Sequence, residues 1–166
     1  MNEFIMGWFN HVARARVDCK GKDVLEVGSL DVNGNLRQTF LDAGAKSYTG
    51  VDMRAGANVD HVMNAHALGF PDQSFDIVVS SEMLEHDSHF WLSMQEMGRV
   101  LKPGGHLILT ARGNGFQMHL HPDDYYRFMP SSFGVLFALA GCLTTLVMDD
   151  PHEPGLMAFG QKYATP

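Results

Sequence analysis

Apolar residues along this chain fall into two rhythms. Asp23 to Gly28, Ser47 to Asp52, Phe75 to Ser81 and His106 to Ala111 are short, nearly continuous apolar runs closed by small or polar residues, and they predict strands buried on both faces. Asn58 to Val62 predicts a weaker, shorter strand. Between these runs the period changes. Leu36, Phe40 and Ala43 precede Gly44 at helical spacing, and Phe90, Met94, Met97 and Leu101 precede Pro103, so each set predicts a helix with one apolar face and a stop. Strand and helix in alternation predict an α/β domain: a mostly parallel sheet with right-handed crossovers and helices on both faces. After Ala111 comes a polar, aromatic-rich loop, then a helix over Ser131 to Ala140 and strands over Cys142 to Met148 and Gly155 to Tyr163, for seven strands in all. The turn from Asp149 to Pro154 is too short for a crossover helix, so the last two strands are expected to pair antiparallel. Asn2 to Arg16 predicts a helix across the sheet edge with Phe4, Trp8, Val12 and Ala15 on one face, and Phe4, Trp8 and Phe9 read as exposed aromatics.

Composition narrows the class. The 166 residues are 45% hydrophobic and 19% charged, which suits a single domain over the whole chain, with 1–20 as an N-terminal helix. Neither a membrane-length apolar run nor a secretory leader is expected, and the chain is read as cytoplasmic. Cys19 and Cys142 lie far apart and read as buried hydrophobes. A formal charge of −7 without a dense basic cluster lowers the expectation of a nucleic-acid partner. The oligomeric state stays open.

The candidate chemistry begins after the first strand. In doubly wound sheets ligands bind beyond the carboxyl ends of the strands, and Gly28 to Gly34 occupies that place. Gly28 allows close approach of backbone to a ligand, Gly34 permits a turn, and Asn33 or Asn35 is expected to cap the following helix. Asp52 stands 24 residues beyond Gly28, near the spacing at which an acid grips ribose hydroxyls. The dinucleotide fingerprint is missing, since Gly28 is followed by Ser29, Leu30, Asp31, Val32 and Asn33. A nucleoside without a pyrophosphate is therefore expected. Glu26, inside the first strand, needs a donor: an amino-acid ammonium or nearby amides.

These residues resemble class I S-adenosylmethionine-dependent methyltransferases over nearly all of Asp23 to Tyr163. The likeness is carried by Val24-Leu25-Glu26-Val27-Gly28, Gly50-Val51-Asp52-Met53, Asn64-Ala65-His66-Ala67-Leu68 with Phe70-Pro71-Asp72, Ser74-Phe75-Asp76-Ile77-Val78 through Glu82-Met83-Leu84-Glu85-His86, and Arg99-Val100-Leu101-Lys102-Pro103-Gly104-Gly105. The resemblance implies a Rossmann-like, doubly wound, seven-stranded sheet with an antiparallel last strand, and S-adenosylmethionine as cofactor. It implies that Asp52 holds the ribose, Met53 and Ala65 flank the adenine, and Asn64 faces its amino group. Glu26, Gly28, Ser29 and Ser81 are then cofactor residues on the methionine side. The first motif departs from the family, with Leu30 and Val32 in place of its usual second and third glycines.

Methyl transfer from a sulfonium to a hydroxyl needs an aligned acceptor and a group that takes its proton. Glu82, Glu85 and His86 follow the fourth strand, and if a helix starts there they share one face. They can equally support the loop or cap a helix. Glu-x-x-Glu-His also resembles the pattern of metal-assisted O-methyltransferases, which implies a divalent metal on Glu82, Glu85 and His86, with His119 or His121 as a further ligand. Residues 113–130 are expected to build the acceptor site, with Glu85, His86 and His119 catalytic and His121, Tyr125 and Arg127 binding substrate. Against this, Tyr125 and Phe128 read equally well as core, and Asp124 with Arg127 as a local ion pair.

The expected acceptor is a small molecule or glycan terminus, through oxygen. The Asn/Asp-Pro-Pro-aromatic and Pro-Cys motifs of DNA methyltransferases are absent from the sequence, whereas an RNA 2′-hydroxyl stays open. A nicotinamide-dependent oxidoreductase and a cofactor-binding inactive scaffold are the rival readings.

Overall fold

A computed structural model describes residues 2–32, 34–120 and 122–164. In chain order the elements are α1 (Glu3–Ala15), β1 (Asp23–Val27), α2 (Arg37–Asp42), β2 (Ser47–Asp52), β3 (His61–Val62), β4 (Phe75–Ser81), a single 3-10 turn (Leu84–His86), α3 (Phe90–Val100), β5 (Leu101–Arg112), α4 (Ser132–Leu139), β6 (Cys142–Asp149) and β7 (Gly155–Lys162). The seven strands form one sheet in the order β3-β2-β1-β4-β5-β7-β6. The first five are parallel to one another, and β7 runs antiparallel to both β5 and β6. This is the α/β architecture expected from the two rhythms.

Two apolar layers cover the sheet. On one face Leu25, Val27, Val78, Leu107 and Leu109 pack against Met94, Met97 and Val100 of α3 and Phe133, Leu136 and Phe137 of α4. On the other, Val24, Ile77, Val79 and Ile108 pack against α1 and α2. Consecutive strand residues thus feed opposite layers, which is why the strands read as unbroken apolar runs.

Four local expectations change. Strand β5 starts at Leu101 rather than His106, with a register shift opposite Phe75 and Ile77 that absorbs Pro103 and the glycines after it. Helix α1 lies on the sheet face with α2, not across the edge, and buries Ile5, Trp8, Phe9, Val12 and Ala13. Its apolar stripe is thus rotated from the one expected through Phe4 and Ala15, and Trp8 and Phe9 are core residues rather than exposed aromatics. Asn35 does not cap α2; its amide donates to Asp31 Oδ2 at 2.8 Å, while Asp31 Oδ1 accepts from the Gly34 amide at 2.9 Å. Asn33, the other expected cap, lies outside the described residues.

Candidate active site

A cavity of about 390 Å³ opens beyond the carboxyl ends of β1, β2, β4 and β5, where parallel strands leave the loops free to hold a ligand. Of the expected cofactor residues, Glu26, Gly28, Ser29, Asp52, Met53, Asn64, Ala65 and Ser81 all line it. Gly28 has φ +83°, and a β-carbon on it would stand 2.6 Å from Met83 Cγ. A side chain is thus excluded there both by backbone conformation and by close approach of the loop after β4. Asp52 ends β2 with Oδ2 accepting from the Leu30 amide at 3.2 Å and Oδ1 from the Arg54 amide at 3.0 Å. Each oxygen has one backbone donor, and the second lone pairs are available to hydroxyls of a ligand. The Asn64 side-chain oxygen accepts from the His66 amide at 2.8 Å, closing a turn that sets Ala65 at the wall.

Glu26 is buried, and the donors it needs come from the protein. Tyr48 Oη and Asn58 Nδ2 both donate to Oε2, at 2.7 and 2.9 Å. Arg37 Nε in turn donates to Asn58 Oδ1 at 2.8 Å. Burial pushes the Glu26 carboxyl up to about 7, against these hydrogen bonds and the Arg37 charge. A carboxyl raised on folding holds its proton more tightly in the folded chain. Its contribution is therefore fully present below the unfolded value near 4.5 and is lost as pH rises toward about 7. The difference in unfolding midpoint between the native chain and Glu26→Gln is accordingly expected to change steadily across that window, in the direction that favours Gln at higher pH. A pH-independent difference in differential scanning calorimetry would contradict it.

The other end of the cavity is built from the turn after β4 and the loop after β5. Glu82 has φ +51°, so the chain turns left-handed there and no helix places Glu82, Glu85 and His86 on one face. Glu82 instead pairs with Arg112 Nη2 at 2.9 Å. Glu85 is fully buried, and among the described residues no side chain donates to its carboxylate, which has only the backbone amides of Glu85 and Arg112 near it. Burial, with the Glu82 charge adding, pushes its carboxyl up to about 8. His86 Nδ1 lies 2.5 Å from the Asp123 carbonyl, which only accepts, so Nδ1 carries the proton and Nε2 of the neutral ring is an acceptor. The His86 and His119 rings meet edge to face at 4.7 Å. Burial holds the His119 imidazole below its ordinary value.

Ligand atoms of Glu85, His86 and His119 lie within 4.8 Å of one another, a donor set that fits a divalent ion. Glu82, held by Arg112, stands outside that set. Tyr125 lines the cavity, but Arg127 does not. Arg127 instead makes a two-pronged pair with Asp124 and donates to the carbonyls of Phe116, Gln117 and Tyr126, which ties the loop together. Phe128 is buried core. His121 lies outside the described residues.

Sequence reasoning did not single out three lining groups. Arg112, at the end of β5, donates to Glu82 and to Glu153 at 2.8 Å and stacks over Phe116 at 3.9 Å. His66 Nε2 meets Asp87 Oδ1 at 2.7 Å, and Asp87 also accepts from Ser93. Only the charge of Arg112 at a strand end was a signal in the sequence; the His66 and Asp87 pairing joins two loops.

Comparison with known proteins places the chain in a family. The profile of a methyltransferase domain matches residues 25–109. A fatty-acid O-methyltransferase of Mycolicibacterium smegmatis is 34% identical over 114 residues, covering 60% of this chain and 40% of that protein. A demethylmenaquinone methyltransferase of Listeria monocytogenes is 35% identical over 143 residues, covering 82% of this chain and 56% of that protein. The chain thus spans about half the length of these relatives, or less. In fold, it resembles the Burkholderia thailandensis 1,6-didemethyltoxoflavin-N1-methyltransferase bound to S-adenosylhomocysteine, with TM-score 0.78 and 16% identity over 98% of this chain and 80% of that one. The cyclase SpnF has TM-score 0.74 and 16% identity over 98% and 82%, a reminder that this fold serves more than one chemistry. The chain belongs to the methyltransferase domain family, in its class I, S-adenosylmethionine-dependent branch.

Proposed function

We propose that the protein transfers a methyl group from S-adenosylmethionine to an oxygen of a small-molecule acceptor. The observation that carries this reading is the meeting of His86 and His119 over the buried Glu85 at one end of a cavity whose other end presents Asp52. S-adenosylmethionine supplies an electrophilic methyl carbon on a sulfonium. Asp52 holds its ribose hydroxyls, Met53 and Ala65 sandwich the adenine beside Asn64, and Glu26 with the Gly28 and Ser29 backbone receives the amino-acid end. His86 Nε2 accepts the acceptor hydroxyl proton as the new carbon–oxygen bond forms and the carbon–sulfur pair stays with sulfur. The adjacent His119 ring and the carbonyl of Asp123 fix the orientation of His86. With a charge of −7 and Asp123 at the wall, a small molecule is favoured over a polynucleotide.

The grouping of Glu85, His86 and His119 favours a second reading, in which these three residues would hold a divalent ion and the ion would supply Lewis-acid activation of a hydroxyl. One experiment separates the two. Release of S-adenosylhomocysteine is measured over a panel of phenols, alcohols and amines, before and after exhaustive EDTA treatment. Turnover of hydroxyl compounds that survives chelation supports the histidine reading, turnover abolished by EDTA and restored by one divalent ion supports the metal, and turnover confined to amines removes both.

A further inference from the structure

With Leu30 and Val32 in place of glycines, the loop after β1 has little freedom to mould itself around a ligand, and its position is set by the segment that follows β2. The Gly28 and Ser29 amides both donate to the Val51 carbonyl, at 2.9 and 3.0 Å, the Leu30 amide donates to Asp52 and the Asp31 amide to the Ala57 carbonyl at 3.1 Å. The amides of residues 28–31 are thus committed within the protein, and the charged group that β1 contributes to the cavity wall is the Glu26 carboxylate. A wall that offers a carboxylate and committed amides suits a cationic group over an anionic one.

Asn58 ties these pieces together. It has φ +69°, a conformation that asparagine tolerates better than most residues. Its Nδ2 donates to Glu26 Oε2 at 2.9 Å and to the Ser29 carbonyl at 3.0 Å, while its own carbonyl accepts from Ser29 Oγ at 3.2 Å. Arg37 fixes which way the amide points, because its Nε donates to Asn58 Oδ1 at 2.8 Å and a guanidinium only donates. The other nitrogens of Arg37 hold the carbonyls of Asn58 and Tyr48 and the carboxylate of Asp60. A β-carbon on Gly50 would lie 2.1 Å from the Asn58 carbonyl oxygen, so β2 carries no side chain where this clamp crosses it. Tyr48 and Asn58 both use Oε2 of Glu26, and among the described residues no hydrogen bond reaches Oε1.

We infer that Asn58, held by Arg37, is the positioning residue for the amino-acid end of S-adenosylmethionine: it fixes Glu26 and the Ser29 backbone where the ammonium arrives, although it does not itself line the cavity. The inference rests on the placement of that end at Glu26 proposed above. The probes are S-adenosylhomocysteine and 5′-methylthioadenosine, which keeps the adenine, the ribose and the sulfur and lacks the amino-acid end. Both are titrated calorimetrically into the native chain, Asn58→Gly, Arg37→Gln and Glu26→Gln. Asn58→Gly removes the amide from a backbone that glycine adopts freely. It is expected to weaken binding of S-adenosylhomocysteine at least about tenfold while 5′-methylthioadenosine stays within about twofold of native, and Arg37→Gln is expected to show the same split more weakly. Retained binding of the truncated nucleoside reports that the adenine and ribose end is intact, which a general loss of structure would not leave. A split in either variant supports the clamp, and its absence from both overturns it. A split in Glu26→Gln alone keeps the amino-acid end at Glu26 and removes Asn58 and Arg37. Equal binding of the two probes by the native chain removes that end from Glu26, and the clamp with it.

Discussion

Asp52→Ala is expected to weaken binding of S-adenosylhomocysteine by at least about a hundredfold, because each hydrogen bond to a charged group contributes about 1.5–3 kcal/mol and the carboxylate has room for two. Its oxygens also hold the Leu30 and Arg54 amides, so the substitution frees both loops that flank the cofactor end. Asp52→Asn keeps one acceptor and is expected to fall between the native chain and alanine. Isothermal titration calorimetry measures this directly. A loss below threefold for alanine would remove Asp52 from the cofactor site, and tight NAD binding by the native chain in the same experiment would replace the reading with an oxidoreductase.

The second large effect is expected on turnover and not on cofactor affinity. His86→Ala removes the imidazole whose Nδ1 is held by the Asp123 carbonyl and whose Nε2 is the acceptor. Loss of a positioned general base costs typically about 10²–10⁴ in rate, so kcat is expected to fall at least a hundredfold while S-adenosylhomocysteine binds within twofold of native. His119→Ala tests the neighbour. Burial holds its imidazole below the ordinary histidine value, and kcat of His119→Ala is expected to fall less than that of His86→Ala. Equal loss of cofactor affinity and turnover in His86→Ala would instead make the pair part of the cofactor wall.

Much of the fold was legible because the central strands β1, β4, β5 and β7 bury both of their faces. Runs such as Ile77 to Val79 are then apolar at every position, and the pattern survives whatever packs on them. The surface helix was harder. In α1 either Phe4 or Ile5 can start an apolar stripe, and only docking on the α2 face of the sheet selects Ile5, Trp8, Phe9 and Val12. The turn after β4 failed as a helix for a local reason with a distant cause: the Glu82 amide bonds the Thr110 carbonyl across the sheet at 3.0 Å, which fixes Glu82 left-handed and turns its carboxylate to Arg112.

By itself, then, the order of residues determined the sheet, the place of the cavity and the presence of Asp52 on its wall, because those follow from local apolar period and from which residue ends which strand. It also named Glu85, His86 and His119 together, and their ligand atoms lie within 4.8 Å of one another. Tertiary structure decided which carboxylate faces which partner. Glu26 sits opposite Gly50 in the β1 to β2 register, one pleat from Tyr48 on the same face, and the missing side chain of Gly50 leaves the space that Asn58 fills. Glu82 and Glu85, three residues apart, end in opposite states, one paired with a guanidinium and the other buried without a side-chain donor among the described residues. Such differences come from desolvation and from contacts between strands distant in the chain, which no local period encodes.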